Sequence, residues 1–333
     1  MDVGSCILLN RTVLNTKDSL INMATAYLTH PSFLKHDMGA GHPECPARIQ
    51  AIEHQLVAAG LFDLLDQYEA PAATKEQLAR VHSIGYIESI FKRSPKQGLA
   101  YLDADTAMNQ YSLEAALHAA GAAVKAVDLV MSGQAENAFC NIRPPGHHAG
   151  KNSAAGFCIF NNVAVAAAHA LEQHGLQRVA IADFDVHHGN GTDEIFNGDT
   201  RVMLCSSFRH PYYPYQGMAS GNKHIINVPL AAGATGEDFR AAVTRQWLPA
   251  LESFQPQLLL ISAGFDAHRE DNMGGLALDD ADYSWITATL KDLAKRHANG
   301  RIVSTLEGGY ALQALGRSAT AHIRVLGGFE PNE

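Results

Sequence analysis

Cysteine is scarce in this chain: five residues in 333, odd in number, with no C-x-x-C spacing. That argues against a disulfide framework and against a structural zinc site of four Cys/His ligands. Cys6, Cys45, Cys140, Cys158 and Cys205 read instead as buried free thiols in a reducing cytosol. Long apolar runs are missing too, and none approaches the ~18 residues needed to cross a bilayer. A basic excess is absent: 25 Lys and Arg against 34 Asp and Glu leave a formal charge of −9. That balance speaks against a nucleic-acid partner, which calls for a basic stripe, and mildly favours cationic substrates. The opening "MDVGSCILLNRTVLNTKDSLIN" has no basic start and no small-residue cleavage site, so it does not read as a signal peptide. A cytoplasmic protein with no membrane attachment is expected. No repeat, low-complexity tract or Pro/Ser-rich linker divides the chain. We expect an N-terminal arm or extension over 1–22 and one domain over 23–333, long enough for a deep core.

What is present is an alternation of short aliphatic runs with helix-like segments, the pattern of an α/β protein with a mainly parallel sheet. "CPARIQAIEHQLVAAG", "SLEAALHAAGAAVKAVDLVMSG", "NNVAVAAAHALEQHG" and "YSWITATLKDLAKRHANG" predict helices, each closed by a glycine stop. "AFCNI", "RVAIA", "RVMLCS", "HIINV", "QLLLISA" and "RIVSTL" predict strands, and a further strand-like pattern starts after Met23. Four of these strands run straight into reactive residues: "AFCNI" into "RPPGHHAG", "RVAIA" into "DFDVHHGNG", "QLLLISA" into "GFDAHRED", and "RIVSTL" into "EGGY". In an open parallel sheet the carboxyl ends of the strands share one edge, where ligands bind. Four loaded strand ends therefore predict one site, and some of the 17 histidines cluster there.

If Asp183 to His187 stay extended, Asp183, Asp185 and His187 point to one side, because strand side chains alternate. A carboxylate and an imidazole on one face chelate a divalent ion, although surface Asp/His turns are also common. Asp266, at another strand end, supplies a third ligand, and one His with two carboxylates leaves positions open for water and substrate. Two glycines before Tyr310 let the backbone approach closely, so its phenol either plugs a loop or donates a hydrogen bond to a bound carbonyl.

With these residues in place, the chain resembles the histone deacetylase superfamily of zinc hydrolases, which includes bacterial deacetylase-like and acetylpolyamine amidohydrolases. The matching segments are "GHPECPARI", "LDADT", "RPPGHHA", "GFCIFNN", "DFDVHHGNGT", "SAGFDA" and "LEGGY", in family order from about Tyr27 to Gly328. The resemblance implies an arginase-like three-layer fold, a parallel sheet flanked by helices. It implies Asp185, His187 and Asp266 as zinc ligands, and potassium held by Asp183 and Asp185 with backbone carbonyls near His187 and Ser206. His148 becomes the general base and then acid, while His147, paired with Asp183, tunes its charge. Tyr310 stabilises the oxyanion. Phe157 and Tyr213 wall the acyl-lysine tunnel, the Gly156 carbonyl accepts the substrate amide N–H, and Asp105 binds substrate backbone at the rim. His148's expected partner is Asn190, where the best-known nuclear members carry Asp; with Glu307 this resembles the class II branch and its bacterial kin.

The implied substrate is an acylated lysine in a protein or peptide. An acetylated polyamine is the alternative, but polyamine-selective relatives place a glutamate where Met273 stands in "REDNMGG". Glu270, Asp271 or Glu44 is left to replace it from another angle. A non-catalytic acyl-lysine-binding metalloprotein ranks lower, because no ligand, tandem histidine or tyrosine is lost. A two-manganese arginase-like site lacks the carboxylates. Homo-oligomers are common among bacterial relatives, which leaves that an open expectation here.

Overall fold

The computed structural model describes residues 25–218 and 221–329. The expected arm over 1–22 and Cys6 lie outside them. Cys45, Cys140, Cys158 and Cys205 are free thiols, the last three buried.

The strands are β1 (Thr25–Thr29), β2 (Asp66–Glu69), β3 (Ala100–Tyr101), β4 (Ala107–Met108), β5 (Asn137–Cys140), β6 (Val179–Asp183), β7 (Val202–Arg209), β8 (Ile225–Leu230), β9 (Leu258–Ala263) and β10 (Ile302–Leu306). Eight of them form one sheet in the order β2-β1-β5-β10-β9-β6-β7-β8, every neighbouring pair parallel. β3 and β4 make a separate antiparallel pair. The central strands β5, β6, β9 and β10 are buried along their whole length. That follows from their mainly apolar, non-alternating sequences, which call for cover on both faces. β2 and β8 sit at the edges; β2 is largely exposed and β8 carries Pro229, which an edge tolerates.

The helices are α1 (Ala47–Ala58), α2 (Lys75–Leu78), α3 (Ile84–Arg93), α4 (Ser112–Met131), α5 (Asn162–Gln173), α6 (Asn190–Phe196), α7 (Gly236–Ala242), α8 (Leu248–Phe254), α9 (Asp280–His297) and α10 (Leu312–Gly327). α4 and α5 pack together on the sheet, while α1, α10 and α9 pack in series as a second group. The result is a three-layer α/β fold. All four expected glycine stops are real: Gly60, Gly133, Gly175 and Gly300 take φ of 67°, 71°, 67° and 78°, the left-handed cap that other residues resist. α9 starts three residues before the expected Tyr283, because Asp279 and Asp282 form a capping box there. No helix of the described residues is long and apolar enough to cross a membrane.

The strand order explains why the reactive residues meet. The four loaded strands, β5, β10, β9 and β6, are consecutive in the sheet. Their carboxyl ends therefore lie side by side at one edge.

Candidate active site

The loop after β6 does not stay extended. The strand ends at Asp183 and the chain bends, because its own carboxylates capture the following amides. Asp183 Oδ1 accepts from Asp185 N at 3.1 Å, and Asp185 Oδ1 accepts from His187 N at 2.8 Å. Asp266 Oδ1 accepts from Val186 N at 2.8 Å. These local turns replace strand alternation as the placing device. Asp183 is thereby turned away, and its Oδ2 pairs with His147 Nδ1 at 3.0 Å.

Asp185, His187 and Asp266 remain as a buried group whose ligand atoms all lie within 4.8 Å of one another. His187 Nδ1 is 3.0 Å from Asp185 Oδ1 and 3.2 Å from Asp266 Oδ2, yet Asp266 Oδ2 receives no aligned hydrogen bond. Burial and the adjacent Asp185 charge push the Asp266 carboxyl up to about 7. Two buried carboxylates this close need a cation or a proton between them. Gly308 N donates to Asp185 Oδ2 at 2.8 Å, and a Cβ at Gly308 would fall 2.1 Å from Asp266 Oδ2. Only glycine fits there.

The histidine loop is held from the β10 side. Gly146 N and His147 N both donate to Glu307 Oε2, at 2.7 and 3.1 Å. His147 and His148 lie with ring centroids 4.0 Å apart but have different partners. Against the cost of burial, Asp183 and Asp185 push His147 up to about 10, favouring its charged form. Burial, then the charges of His147 and His187, hold His148 well below its ordinary range. A cation on the neighbouring carboxylates would weaken the first of these effects. His148 Nδ1 donates to Asn190 Oδ1 at 2.8 Å, which leaves the Nε2 lone pair free.

His148 and His187 form the buried base of a cavity of about 200 Å³. Phe157, Tyr212, Tyr213 and Met273 stand above them, partly exposed, with Asp105 and Tyr310 on the same lining. Tyr213 meets His148 edge-on at 5.1 Å, and Phe157 meets Tyr310 edge-on at 5.8 Å. Gly156 lies in the wall, its carbonyl accepting from the Cys158 thiol at 3.3 Å. Tyr212 was not among the expected residues. It stacks on His187 at 5.6 Å under the Arg209 guanidinium, and its hydroxyl donates to the Met273 carbonyl at 3.1 Å. "PYYPY" signalled an aromatic wall but not that both tyrosines serve it.

The three acids expected as substitutes for a gatekeeper are all engaged elsewhere. Glu44 is fully buried between Arg143 and Arg48. Asp271 Oδ2 accepts from Tyr310 N and Ala311 N at 2.6 and 2.9 Å, which positions the tyrosine. Glu270 pairs with Arg317 at 2.7 Å.

Two other features compete for attention and lose. Asp128, His169 and His174 also have metal-ligand spacing. Arg80 donates to His169 Nδ1 at 2.6 Å, so the ring's proton sits on Nε2 toward Asp128, and that nitrogen has no lone pair for an ion. A larger, open groove of about 1070 Å³ holds none of the reactive groups, and its Arg240 and Arg269 already pair with Asp282 and Asp279.

Residues 42–326 match the family model described as the histone deacetylase domain. A probable deacetylase of Archaeoglobus fulgidus is 36% identical over 320 residues, covering 92% of this chain and 88% of that protein. The histone deacetylase-like amidohydrolase of Pseudomonas aeruginosa is 39% identical over 279 residues, 82% of this chain and 73% of that one. The crystal structure of the HDA15 HD domain is similar with a TM-score of 0.87 at 38% identity, covering 93% of this chain and 91% of its own.

Proposed function

The chain belongs to the histone deacetylase family, and from that premise we propose a zinc-dependent deacylase that removes acetyl or related acyl groups from lysine ε-amines in proteins or peptides. The observation that carries this reading is the buried Asp185–His187–Asp266 group at the foot of an aromatic cavity, beside a neutral His148. One nitrogen and two carboxylates suit zinc, and the unpartnered Asp266 Oδ2 is an atom such an ion would satisfy. Bound there, zinc supplies Lewis-acid polarisation of the amide carbonyl and a water made easier to deprotonate. Potassium would be held by Asp183 and Asp185 with backbone carbonyls near His187 and Ser206. The Ser206 hydroxyl, buried without a partner and paired in register with Asp183, fits such an ion.

The residues divide the work. His148 Nε2 takes a proton from the attacking water and hands it to the departing lysine amine. Asn190 keeps Nδ1 protonated and the ring aimed, but adds no charge, so His148 stays a weaker acceptor than a carboxylate partner would make it. The His147 imidazolium, tied to Asp183, offsets carboxylate charge beside the reacting atoms. Tyr310 donates its hydroxyl proton in a hydrogen bond to the developing oxyanion. Phe157, Tyr212 and Tyr213 grip the four-carbon lysine stem and exclude water. Tyr310→Phe is expected to lower kcat by about 10²–10³ with zinc content unchanged by elemental analysis. Full activity in that variant would remove the tyrosine from the chemistry. Chelation should abolish turnover and stoichiometric zinc should restore it; activity indifferent to both would end the metal reading.

A peptide substrate is favoured over a polyamine. Met273 presents no charge on the cavity lining, and Asp105 is the one acid there among the described residues. Steady-state kinetics on acetyl-lysine peptides beside N-acetylputrescine and N8-acetylspermidine decide this. We expect the higher kcat/KM on peptides. Turnover of polyamines alone would transfer the chain to that alternative, with Asp105 as the cation partner.

A further inference from the structure

We propose that Thr106 is a positioning residue for substrate binding, its single hydroxyl joining the tunnel-wall turn of Phe157 to the rim carboxylate of Asp105. The kinetic half of this proposal rests on the reading above; the structural half does not.

The turn itself is unusual. Ala155 and Cys158 exchange both backbone hydrogen bonds, at 3.2 and 2.9 Å, enclosing a two-residue loop of Gly156 and Phe157. Their φ values are +53° and +69°, a primed turn with both central residues left-handed. Glycine takes that conformation freely, and a Cβ at 156 would in any case strike His148 Cδ2 at 2.3 Å. Phenylalanine does not, and such a backbone persists only where its surroundings impose it.

Three contacts impose it on Phe157. Its ring sits between His42, 4.7 Å away, and Tyr310, 5.8 Å away, both edge-on. Its N–H is not used by the turn and donates instead to Thr106 Oγ1 at 3.0 Å. Thr106 is completely buried, and the same oxygen donates to Asp105 Oδ1 at 3.0 Å. A hydroxyl has one proton and two lone pairs. Spending the proton on Asp105 leaves a lone pair for Phe157, so the two bonds are compatible and mutually reinforcing. Burial and Asp103 raise the Asp105 carboxyl, while the Thr106 hydroxyl and the Gly156 N–H act to keep it ionised.

Thr106 is in turn fixed from its own side. Asp103 Oδ1 accepts from Asp105 N at 3.0 Å and from Thr106 N at 2.7 Å, and Leu102 N donates to the Thr106 carbonyl at 2.8 Å. The β3–β4 connection is thus a rigid bracket holding wall and rim in one relation. Its hydrogen bonds run within the connection and to Gly156, Phe157, His42 and Arg93, not to His148 or Asn190, so its loss should weaken substrate capture more than the chemical step.

The test compares Thr106→Val, which keeps the shape and deletes the hydroxyl, with Thr106→Ser, which keeps the hydroxyl. Two readouts are taken on the intact protein. Amide exchange of the 155–158 segment should quicken about tenfold at Phe157 in the valine variant and return to the wild-type rate in the serine variant. KM for an acetyl-lysine peptide should rise about tenfold in the valine variant with kcat changed less than about threefold, and serine should restore it. Unchanged exchange overturns the coupling. Faster exchange with kcat lost and KM kept, or no rescue by serine, overturns the positioning role. If the wild type turns over no acyl-lysine peptide, the proposed function fails, while the exchange result still decides whether Thr106 joins the two elements.

Discussion

Replacing His148 with alanine is expected to lower kcat on acetyl-lysine peptides by about 10²–10⁴. The size follows from what the ring alone can do. It is the neutral imidazole at the cavity base, its tautomer set by Asn190, with Nε2 as an open acceptor. On the proposed reading His147 does not replace it, because its Nδ1 is committed to Asp183 and the adjacent carboxylates favour its charged form. His147→Ala should accordingly leave measurable activity, since it removes an electrostatic neighbour and not the proton carrier. Zinc content and thermal midpoint, read alongside the kinetics, separate lost chemistry from lost structure. A His148→Ala enzyme that keeps more than about a tenth of the wild-type rate would contradict the assignment.

Glu44→Gln is expected to cost about 3–5 kcal/mol of stability, the scale for stranding a buried charge. Glu44 is wholly buried, and both its oxygens are used: Oε2 accepts from Arg143 Nη2 at 2.6 Å and Oε1 from Arg48 Nη1 at 3.1 Å. Its loss leaves two buried guanidinium groups without a counter-charge. Arg143 opens the histidine loop and also holds the Phe33 and His36 carbonyls, at 2.5 and 3.0 Å. Arg48 holds the Gly309 carbonyl at 2.6 Å and lies 5.0 Å from the Tyr310 ring. The network is therefore the floor under the histidine loop and the Tyr310 loop, and on the proposed function activity should fall with stability. Burial alone would raise the Glu44 carboxyl, but Arg143 and His36 outweigh it and hold it well below the usual carboxylate range. A carboxyl depressed in the folded state contributes stability that is present above about pH 4 and is lost on further acidification. Urea titrations of wild type and variant at neutral and acid pH check both statements. A difference under about 1 kcal/mol at neutral pH would contradict the first, and a difference that fails to shrink in acid would contradict the second.

The sheet and its loaded edge were legible because aliphatic strands followed at once by Asp, His or Glu leave few other readings. Helix ends were legible for a similar reason, since glycine marks the left-handed cap. What escaped was polar structure inside the core. α10 buries Ser318, Thr320 and His322 beside its apolar stripe of Leu315, Ala319, Ile323 and Leu326, and His322 bonds Thr287 and Ser304 at 2.6 and 2.9 Å. Glu44 read as a candidate for the tunnel mouth, because nothing local shows that its partners stand 99 residues ahead at Arg143 and four ahead at Arg48. Asp183, Asp185 and His187 were read by strand periodicity, whereas short-range carboxylate-to-amide bonds bend that segment. Thr106 stood in the sequence only as the last residue of "LDADT", with no role of its own, because that role exists only once the 155–158 turn reaches it.

The sheet's continuity rests on its last strand. β10 is the latest strand in sequence, yet it lies in the middle and pairs with both β5 and β9. Take it away and two unconnected ribbons remain, β2-β1-β5 and β9-β6-β7-β8. The histidine loop then belongs to one ribbon and Asp185, His187 and Asp266 to the other. β10 is the strand that joins the two ribbons beneath these loops, which also bond each other directly through His147 and Asp183. The sheet beneath the site is therefore continuous only with residues 302–306 in place, and that same strand leads directly into Glu307 and Tyr310.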